Sequence, residues 1–135
     1  MTRNAEAFEA LAALLGARFT RSQSDRDTHG ASEAHFANMP PDAVVYPDTT
    51  AEVAQIVRIC AAAEIPLIGW GAGTSLEGHA IAPRGGVTVD FNRMNAVLEV
   101  APEDMLVTVQ PGVTREALNT ELRATGLFFP VDPGA

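Results

Sequence analysis

The sequence predicts an α/β (α+β) fold built on a βαβ unit, and three observations within residues 43–68 predict it. Residues 43–47, AVVYP, form a short β-branched run that stops at a proline, as strands do. Thr49 and Glu52 then form a capping box, which opens a helix to about Ala63. Residues 64–68 form a second apolar run. Strand, helix and strand so close together favour two parallel strands joined by the helix. The helix is expected to bury the stripe Val53, Ile56, Val57 and Cys60.

Residues 1–40 are predicted to be an N-terminal helix and an extended arm that precede the βαβ unit. Apolar residues recur at helical spacing between residues 4 and 17, and Gly16 marks the end of this helix. A polar stretch without periodic hydrophobicity follows and closes at Pro40-Pro41. We therefore divide the chain into residues 1–40, the helix and arm, and residues 41–135, the first and incomplete part of a larger domain.

The rest of residues 41–135 predicts a third strand, a hairpin and a final helix. Residues 85–91 form the strand, and residues 96–110 form a hairpin around the turn Pro102-Glu103-Asp104. Thr114 caps a helix that stops at Gly126. The last residues, LFFPVDPGA, have the composition of a loop that leads onward. We therefore expect the chain to be the N-terminal piece of a longer protein.

The charge pattern excludes several classes of partner. The net charge is −8, and all nine basic residues are arginine. Nucleic acid and anionic membranes are poor partners for such a chain, because no basic stripe is present to neutralise phosphates. No apolar run is long enough to span a bilayer. The single cysteine, Cys60, predicts a small core residue and a reducing compartment. We expect a cytoplasmic protein, with peripheral attachment to the inner membrane left open.

The segment IGWGAGTSLEGHA, residues 68–80, concentrates four glycines directly after the second strand. A Rossmann fingerprint does not fit, because the third glycine position falls on Leu76 or Thr74. A P-loop does not fit either, since His79-Ala80 replaces the lysine and the hydroxyl residue that it requires. What remains is a nest of backbone N–H groups, with hydroxyl donors from Thr74 and Ser75, that binds a phosphate or a pyrophosphate. A tight structural turn without a ligand is the alternative.

Five motifs in this order resemble the FAD-linked oxidases of the vanillyl-alcohol-oxidase-type (PCMH-type) fold. They are PPDAVVYPDTTAEV, PLIGWGAGTSLEGH, GGVTVDFNRMN, VTVQPGVT and GLFFPVDPGA. The resemblance covers residues 28–135 and is nearest to the D-lactate dehydrogenases and the D subunit of glycolate oxidase. It implies an FAD-binding domain whose glycine loop wraps the FAD pyrophosphate. The implied cofactor-binding residues are Trp70, Gly71, Ala72, Gly73, Thr74, Ser75, Gly78, His79, Pro130, Asp132 and Pro133.

The resemblance also implies a reaction, in which a D-2-hydroxy acid loses hydride to the flavin. Some relatives hold the flavin covalently through a histidine in the loop, but Thr74 stands at the matching position, so we expect non-covalent FAD. Substrate-binding, catalytic and metal-binding residues are implied to lie beyond this chain, which we expect to be inactive alone and to bind flavin weakly. The implied assembly is a homodimer or a multi-subunit oxidase. A non-catalytic nucleotide-binding or subunit-interaction module is the alternative.

The remaining polar residues give no catalytic or metal-binding pattern. His29 and His35 lie in the polar arm without a second ligand at metal spacing, so both are expected to be solvated. His79 either contacts the cofactor or bonds a nearby carbonyl. Arg84 and Arg93 are interpreted as surface residues. The acidic residues offer no spaced carboxylate pair for acid–base catalysis.

Overall fold

The computed structural model describes residues 2–132, which form four helices and six strands. The helices are α1 (Thr2–Leu15), α2 (Gln23–Thr28), α3 (Thr50–Ala62) and α4 (Arg115–Leu122). The strands are β1 (Phe19–Thr20), β2 (Ala43–Val45), β3 (Leu67–Trp70), β4 (Val87–Asp90), β5 (Val97–Ala101) and β6 (Leu106–Val109). Every strand and helix predicted from the sequence is present, with ends that differ by a few residues.

A mixed four-stranded sheet in the order β1-β2-β4-β3 forms the centre of the fold. The predicted βαβ unit is confirmed, since β2 and β3 both run parallel to β4. However, the two strands are not neighbours, because β4 is inserted between them. All four residues of β4 are buried, as expected for a central strand that is covered on both faces. The predicted hairpin is the separate antiparallel pair β5-β6.

The main core lies between one face of this sheet and helices α1 and α3. Alternate strand residues point to the same face, so Ala43, Val45, Val87 and Val89 all enter this core. Leu11 of α1 and Ile56 of α3 are fully buried against them. Cys60 is buried here as predicted, and burial raises the pKa of its thiol to about 11, so it stays a neutral apolar side chain.

The predicted buried stripe of α3 was partly wrong. Ile56 and Cys60 are buried, but Val57 is 46% exposed. The reason is the position of α1, which packs against α3 and partly covers Ile59 and Ala63. The packed face of the helix is therefore rotated toward Ile59, and Val57 turns to solvent.

The arm was predicted to be extended but contains the short helix α2. Ser22 caps this helix, because its side chain accepts a hydrogen bond from the backbone N–H of Asp25. All six residues of α2, QSDRDT, are polar, so hydrophobic periodicity gave no signal. Strand β1 was also missed; it pairs antiparallel with β2 through Phe19 and Val45.

A cluster of charged side chains joins the start of α3 to the end of α1. Thr49 caps α3 as predicted, through a bond from the Glu52 N–H to its Oγ1. The Glu52 carboxylate accepts two bonds from the Arg18 guanidinium, at 2.6 and 2.7 Å, and one from the backbone N–H of Asp48. These bonds, those from Arg18 first, lower the pKa of Glu52 to about 2. Asp48 in turn pairs with Arg93, whose exposed side chain agrees with its interpretation as a surface residue.

The Glu52 bonds predict a loss of stability in acid. The folded-state pKa of Glu52, about 2, lies below its ordinary value of 4.5. The stabilisation by these bonds is therefore complete above pH 4.5. It should be lost as the pH falls from about 5 to about 2. In thermal unfolding at a series of pH values, Glu52→Gln should lower Tm at neutral pH and flatten its decline in acid. Glu121→Gln, on an exposed part of α4, is the matched control and should follow the wild type. Equal acid sensitivity of Glu52→Gln and wild type would contradict this account.

Candidate functional site

The glycine loop, residues 71–78, lies at the carboxyl end of the parallel strands. β3 ends at Trp70, and the loop begins with the next residue. The register places Trp70 opposite Asp90, the last residue of β4. In open α/β sheets, ligands bind in the crevice outside the carboxyl ends of the strands. The sequence therefore delivers the loop to the end of the sheet where a ligand is expected.

Two of the loop glycines are required by packing inside the protein. Gly73 has φ +71°, and a Cβ placed on it would overlap Cζ2 of the Trp70 ring. Gly78 has φ +78°, and its Cβ would lie 2.8 Å from Cε2 of Phe36. Both glycines therefore allow the loop to lie directly on aromatic rings that come from inside the fold. This accounts for part of the glycine excess without a ligand.

Gly71 is different, because a Cβ at this position would meet no atom within 4 Å among the described residues. Its φ is also outside the left-handed region. Neither the backbone conformation nor packing within the described part of the chain explains a glycine here. The remaining physical reason is a close approach by something other than the described residues.

The loop also presents unused hydrogen-bond donors. The backbone N–H groups of residues 71–76 bond no acceptor in residues 2–132. The Thr74 side chain is exposed and makes no hydrogen bond to a described residue, whereas Ser75 Oγ lies 3.1 Å from Nδ1 of His79. His79 thus contacts a hydroxyl of its own loop rather than a carbonyl. A run of amide donors without acceptors is the donor set that an anion requires.

A cavity of about 310 Å³ joins the loop to the N-terminus of α4. Thr114 caps this helix by accepting a bond from the Ala117 N–H. At the cavity wall, Arg115 Nη2 lies 3.2 Å from Oδ2 of Asp132. The helix N-terminus adds partial positive charge to the amides of the loop. The lining residues are Gly71, Ala72, Thr74, Pro111, Gly112, Val113, Thr114, Arg115, Glu116 and Asp132.

The structure brings together some of the predicted site residues and separates others. Gly71, Ala72, Thr74 and Asp132 line one cavity, as a common site requires. Pro130 instead lines a separate apolar cavity of about 320 Å³ against the β5-β6 hairpin. Pro133 lies outside the described residues. Sequence reasoning missed residues 111–116 as part of the site, although the Thr114 cap marked a helix N-terminus there.

Trp70 lies behind the loop rather than in the cavity. Its side chain is 8% exposed and contacts His29, with the two ring centroids 4.7 Å apart. The expectation that His29 is solvated was wrong, since His29 is only 4% exposed. Its Nε2 lies 2.8 Å from Oδ2 of Asp90, which is equally buried. Spacing along the chain could not show this, because the two residues are 61 positions apart. His35 is exposed, as predicted.

The chemistry of the cavity is that of binding. Within residues 2–132, no group of three or more His, Cys, Asp or Glu side chains could hold a metal ion. The donors of the cavity are backbone amides, the hydroxyls of Thr74 and Thr114, and one arginine that is paired with an aspartate. This donor set and the open space at Gly71 fit a phosphate or pyrophosphate group. Fold and site together define an α/β nucleotide-binding domain.

Comparison with known families identifies this domain further. Residues 41–135 match the FAD binding domain family, and the chain belongs to that family. FAD is therefore the cofactor of the domain, which confirms the predicted family and cofactor. No helix within residues 2–132 is long and apolar enough to cross a membrane.

Curated relatives cover most of this chain. The probable mitochondrial D-lactate dehydrogenase of Danio rerio is 47% identical over 110 residues, which are 82% of this chain and 22% of the relative. The mitochondrial cytochrome-type D-lactate dehydrogenase of Arabidopsis thaliana is 39% identical over 96% of this chain and 23% of its own length. The glycolate oxidase subunit GlcD of Bacillus subtilis is 38% identical over 70% of this chain and 20% of that subunit. The chain thus spans about a fifth of these relatives.

Solved structures confirm the PCMH-type fold. p-Cresol methylhydroxylase with bound substrate superposes with a TM-score of 0.83 at 25% identity, over 94% of this chain and 26% of that enzyme. Alkyldihydroxyacetonephosphate synthase also gives a TM-score of 0.83 at 25% identity, over 95% of this chain and 28% of the synthase.

The packing of Gly73 on Trp70 predicts a loss of stability in Gly73→Ala. The substitution adds backbone strain of about 1–3 kcal/mol and a clash with the Trp70 ring. Gly126→Ala is the matched control, because Gly126 has a similar φ of +75° and no atom within 4 Å of an added Cβ. Urea unfolding followed by Trp70 fluorescence should show the larger loss of unfolding free energy for Gly73→Ala. Equal losses for the two variants would mean that the Trp70 contact adds nothing.

Proposed function

We propose that this chain forms the first part of the FAD site of an oxidoreductase that oxidises a D-2-hydroxy acid, of the D-lactate or glycolate type. The observation that carries the proposal is the cavity between the N-terminus of α4 and a glycine loop whose amides at residues 71–76 bond no acceptor in residues 2–132. The names of the relatives, D-lactate dehydrogenases and a glycolate oxidase subunit, support the substrate class.

The pyrophosphate of FAD is proposed to bind at the glycine loop. Its charge would be balanced by the loop amides, the Thr74 hydroxyl and the α4 N-terminus, a grip that needs no lysine. This suits a chain with a net charge of −8, in which Arg115 is the basic residue of the cavity. The residues proposed to hold the cofactor are Trp70, Gly71, Ala72, Gly73, Thr74, Ser75, Gly78, His79, Pro130, Asp132 and Pro133. Trp70 acts from behind the loop, through its contact with Gly73.

When bound, the flavin supplies the redox chemistry, accepting a hydride from the substrate carbon. We propose that the described residues of this chain bind and orient the cofactor. Of the two carboxylates that line the cavity, Glu116 and Asp132, the second pairs with Arg115. We propose that the groups that bind and activate the substrate belong to the part of the enzyme that corresponds to the other four fifths of the relatives. The chain alone is then inactive and binds FAD weakly.

The mode of FAD attachment and the division of the chain are proposed from the sequence. Thr74 stands where some members of the resembled family carry the histidine that links the flavin, so we propose that the FAD is held non-covalently. Residues 41–135 form the first part of the FAD domain, and residues 1–40 support it, since α1 shares the core with α3. We also propose a cytoplasmic enzyme that forms a homodimer or a multi-subunit oxidase. Cell fractionation and size-exclusion chromatography of the FAD-loaded protein check these two points.

Gly71→Ala should separate folding from cofactor binding. The added Cβ meets no described atom, so we expect unchanged or slightly raised stability, by at most about 1 kcal/mol. The same Cβ would project where the pyrophosphate is proposed to lie, so FAD affinity should fall roughly tenfold or more. Thermal unfolding and titration by flavin fluorescence measure the two effects. Gly126→Ala, distant from the cavity in sequence and absent from its lining, is the affinity control. Unaltered FAD affinity in Gly71→Ala would contradict the proposed site.

A chimera tests the redox role and the linkage to flavin. Residues 41–135 would replace the matching residues of the Danio rerio relative, and the chimera would be loaded with FAD. We expect D-lactate to bleach the visible flavin absorbance, and acid precipitation to leave the flavin in the supernatant. Flavin that stays with the precipitate would overturn non-covalent binding. A folded chimera that does not take up FAD would favour the alternative of a non-catalytic module.

A further inference from the structure

The arm of residues 23–40 contacts both sides of the glycine loop. His29 lies against Trp70, on whose ring Gly73 packs, and Phe36 lies directly against Gly78. The arm also bonds the chain just after the loop, because the backbone N–H of Ala82 donates to the carbonyl of Met39 at 3.0 Å. A polar stretch that looked like a surface loop in the sequence is therefore packed against the proposed cofactor loop at three points.

We infer that this arm is the positioning element of the FAD loop, and that the buried pair of His29 and Asp90 fixes it in place. The inference rests on the proposed function in one respect, that the loop binds FAD. His29 and Asp90 do not touch the proposed cofactor cavity, so both are positioning residues.

The hydrogen-bond partners of His29 suit a ring that carries protons on both nitrogens. Nδ1 lies 2.7 Å from the backbone carbonyl of Asp25, which can only accept a hydrogen bond. Nε2 lies 2.8 Å from Oδ2 of Asp90, while the other oxygen of that carboxyl accepts from the N–H of Asn92. A histidine whose two nitrogens both donate is an imidazolium. With His29 protonated, this contact is a buried ion pair between the arm and the end of the central strand.

The ion pair lies directly beside the start of the loop. Asp90 is the register partner of Trp70, the residue before Gly71, and the imidazole of His29 packs on the Trp70 ring. Removing one member of a buried pair leaves the other charge without compensation. The contacts of Trp70 with His29 and Gly73 would then loosen together, and with them the conformation of the loop amides.

Among the groups packed around it, His29 is the one whose protonation changes near neutral pH. Asp25, on its own helix, has a lowered carboxyl pKa because Ser22 and Thr20 donate hydrogen bonds to it. Burial raises the pKa of Tyr46, whose ring meets His29 edge-on, to about 12. Trp70 carries no charge, and Asp90 is the bonded partner. For His29 itself, burial lowers the pKa, but the bonds to Asp90 and Asp25 outweigh it and raise the pKa above 6.5.

The sign of the pH effect follows from the raised pKa. The stabilisation is complete below 6.5 and is lost as the pH rises through the folded-state pKa of His29. Trp70 is the single tryptophan of the chain, so tryptophan fluorescence reports on the surroundings of this residue. An adjacent imidazolium quenches tryptophan fluorescence, and a neutral imidazole quenches it less. We therefore expect emission to rise and FAD affinity to fall as the pH is raised above neutral.

The experiment compares wild type with His29→Gln, Asp90→Asn and the control His35→Gln, which alters an exposed histidine of the same arm. The fluorescence titration should persist in the control and disappear in His29→Gln. In Asp90→Asn its midpoint should move down by roughly one to three pH units, because the carboxylate no longer favours the imidazolium. FAD affinity should be lower, and independent of pH, in His29→Gln.

Hydrogen exchange tests the positioning without FAD. The amides of Ile81 and Ala82, which bond Gly78 and Met39, should exchange roughly tenfold faster in His29→Gln and Asp90→Asn. The Ile65 amide, which bonds Cys60 on the far side of the fold, is the internal control for global unfolding. If the wild-type protein binds no FAD, the proposed function is contradicted. The exchange and fluorescence results then decide whether the arm positions the loop. FAD binding by the wild type with unchanged affinity, exchange and fluorescence in both variants would overturn the inference.

Discussion

The parallel pairing of β4 with β3 is the constraint on which the rest of the structure depends. It sets Trp70 opposite Asp90 at the carboxyl end of the sheet. From there the glycine loop leaves β3 directly, and Asp90 turns back to bond His29 of the arm. Had the register slipped by one residue, every side chain of β3 would face the opposite side of the sheet. Trp70 would then no longer support Gly73, so one ladder of hydrogen bonds determines the shape of the cofactor loop.

An acidic chain that binds a doubly charged group needs a source of positive potential other than net charge. We propose that the source here is the backbone, as amides in residues 71–76 that bond no described acceptor and as the N-terminus of α4. Backbone dipoles hold their direction only if the backbone is held. Packing of Gly73 on Trp70 and of Gly78 on Phe36 provides this support. The same loop therefore packs on aromatic rings and lines the proposed anion site.

Ion pairs at two places attach the N-terminal segment to the sheet. At the start of α3, Arg18 and Glu52 join α1 to the helix of the βαβ unit. At the same carboxyl end of the strands, His29 and Asp90 join the arm to β4. The first pair is partly exposed and is lost when Glu52 is protonated in acid. The second is buried and depends on the protonation of a histidine. Residues before the βαβ unit thus belong to its architecture and are not a separate appendage.

Local chemistry in the sequence determined most of the elements. Thr49 and Thr114 cap helices, Gly126 ends one, and the β-branched runs form strands, because each of these signals acts over a few residues. The motifs also identified the family and FAD as the cofactor. The glycine loop was located correctly, although the sequence could not show which glycines serve packing and which leave open space.

Only the tertiary structure decided what depends on residues far apart in the chain. The insertion of β4 between β2 and β3, the exposure of Val57 and the burial of His29 all follow from which elements pack together. Asp90 and Trp70, the distant partners of His29, lie in β4 and β3, so no local pattern marks it as buried. Residues 111–116 line the same cavity as the loop, and this too depends on which elements pack together. Sequence patterns report propensities over a few residues, whereas burial and site geometry are set by long-range packing.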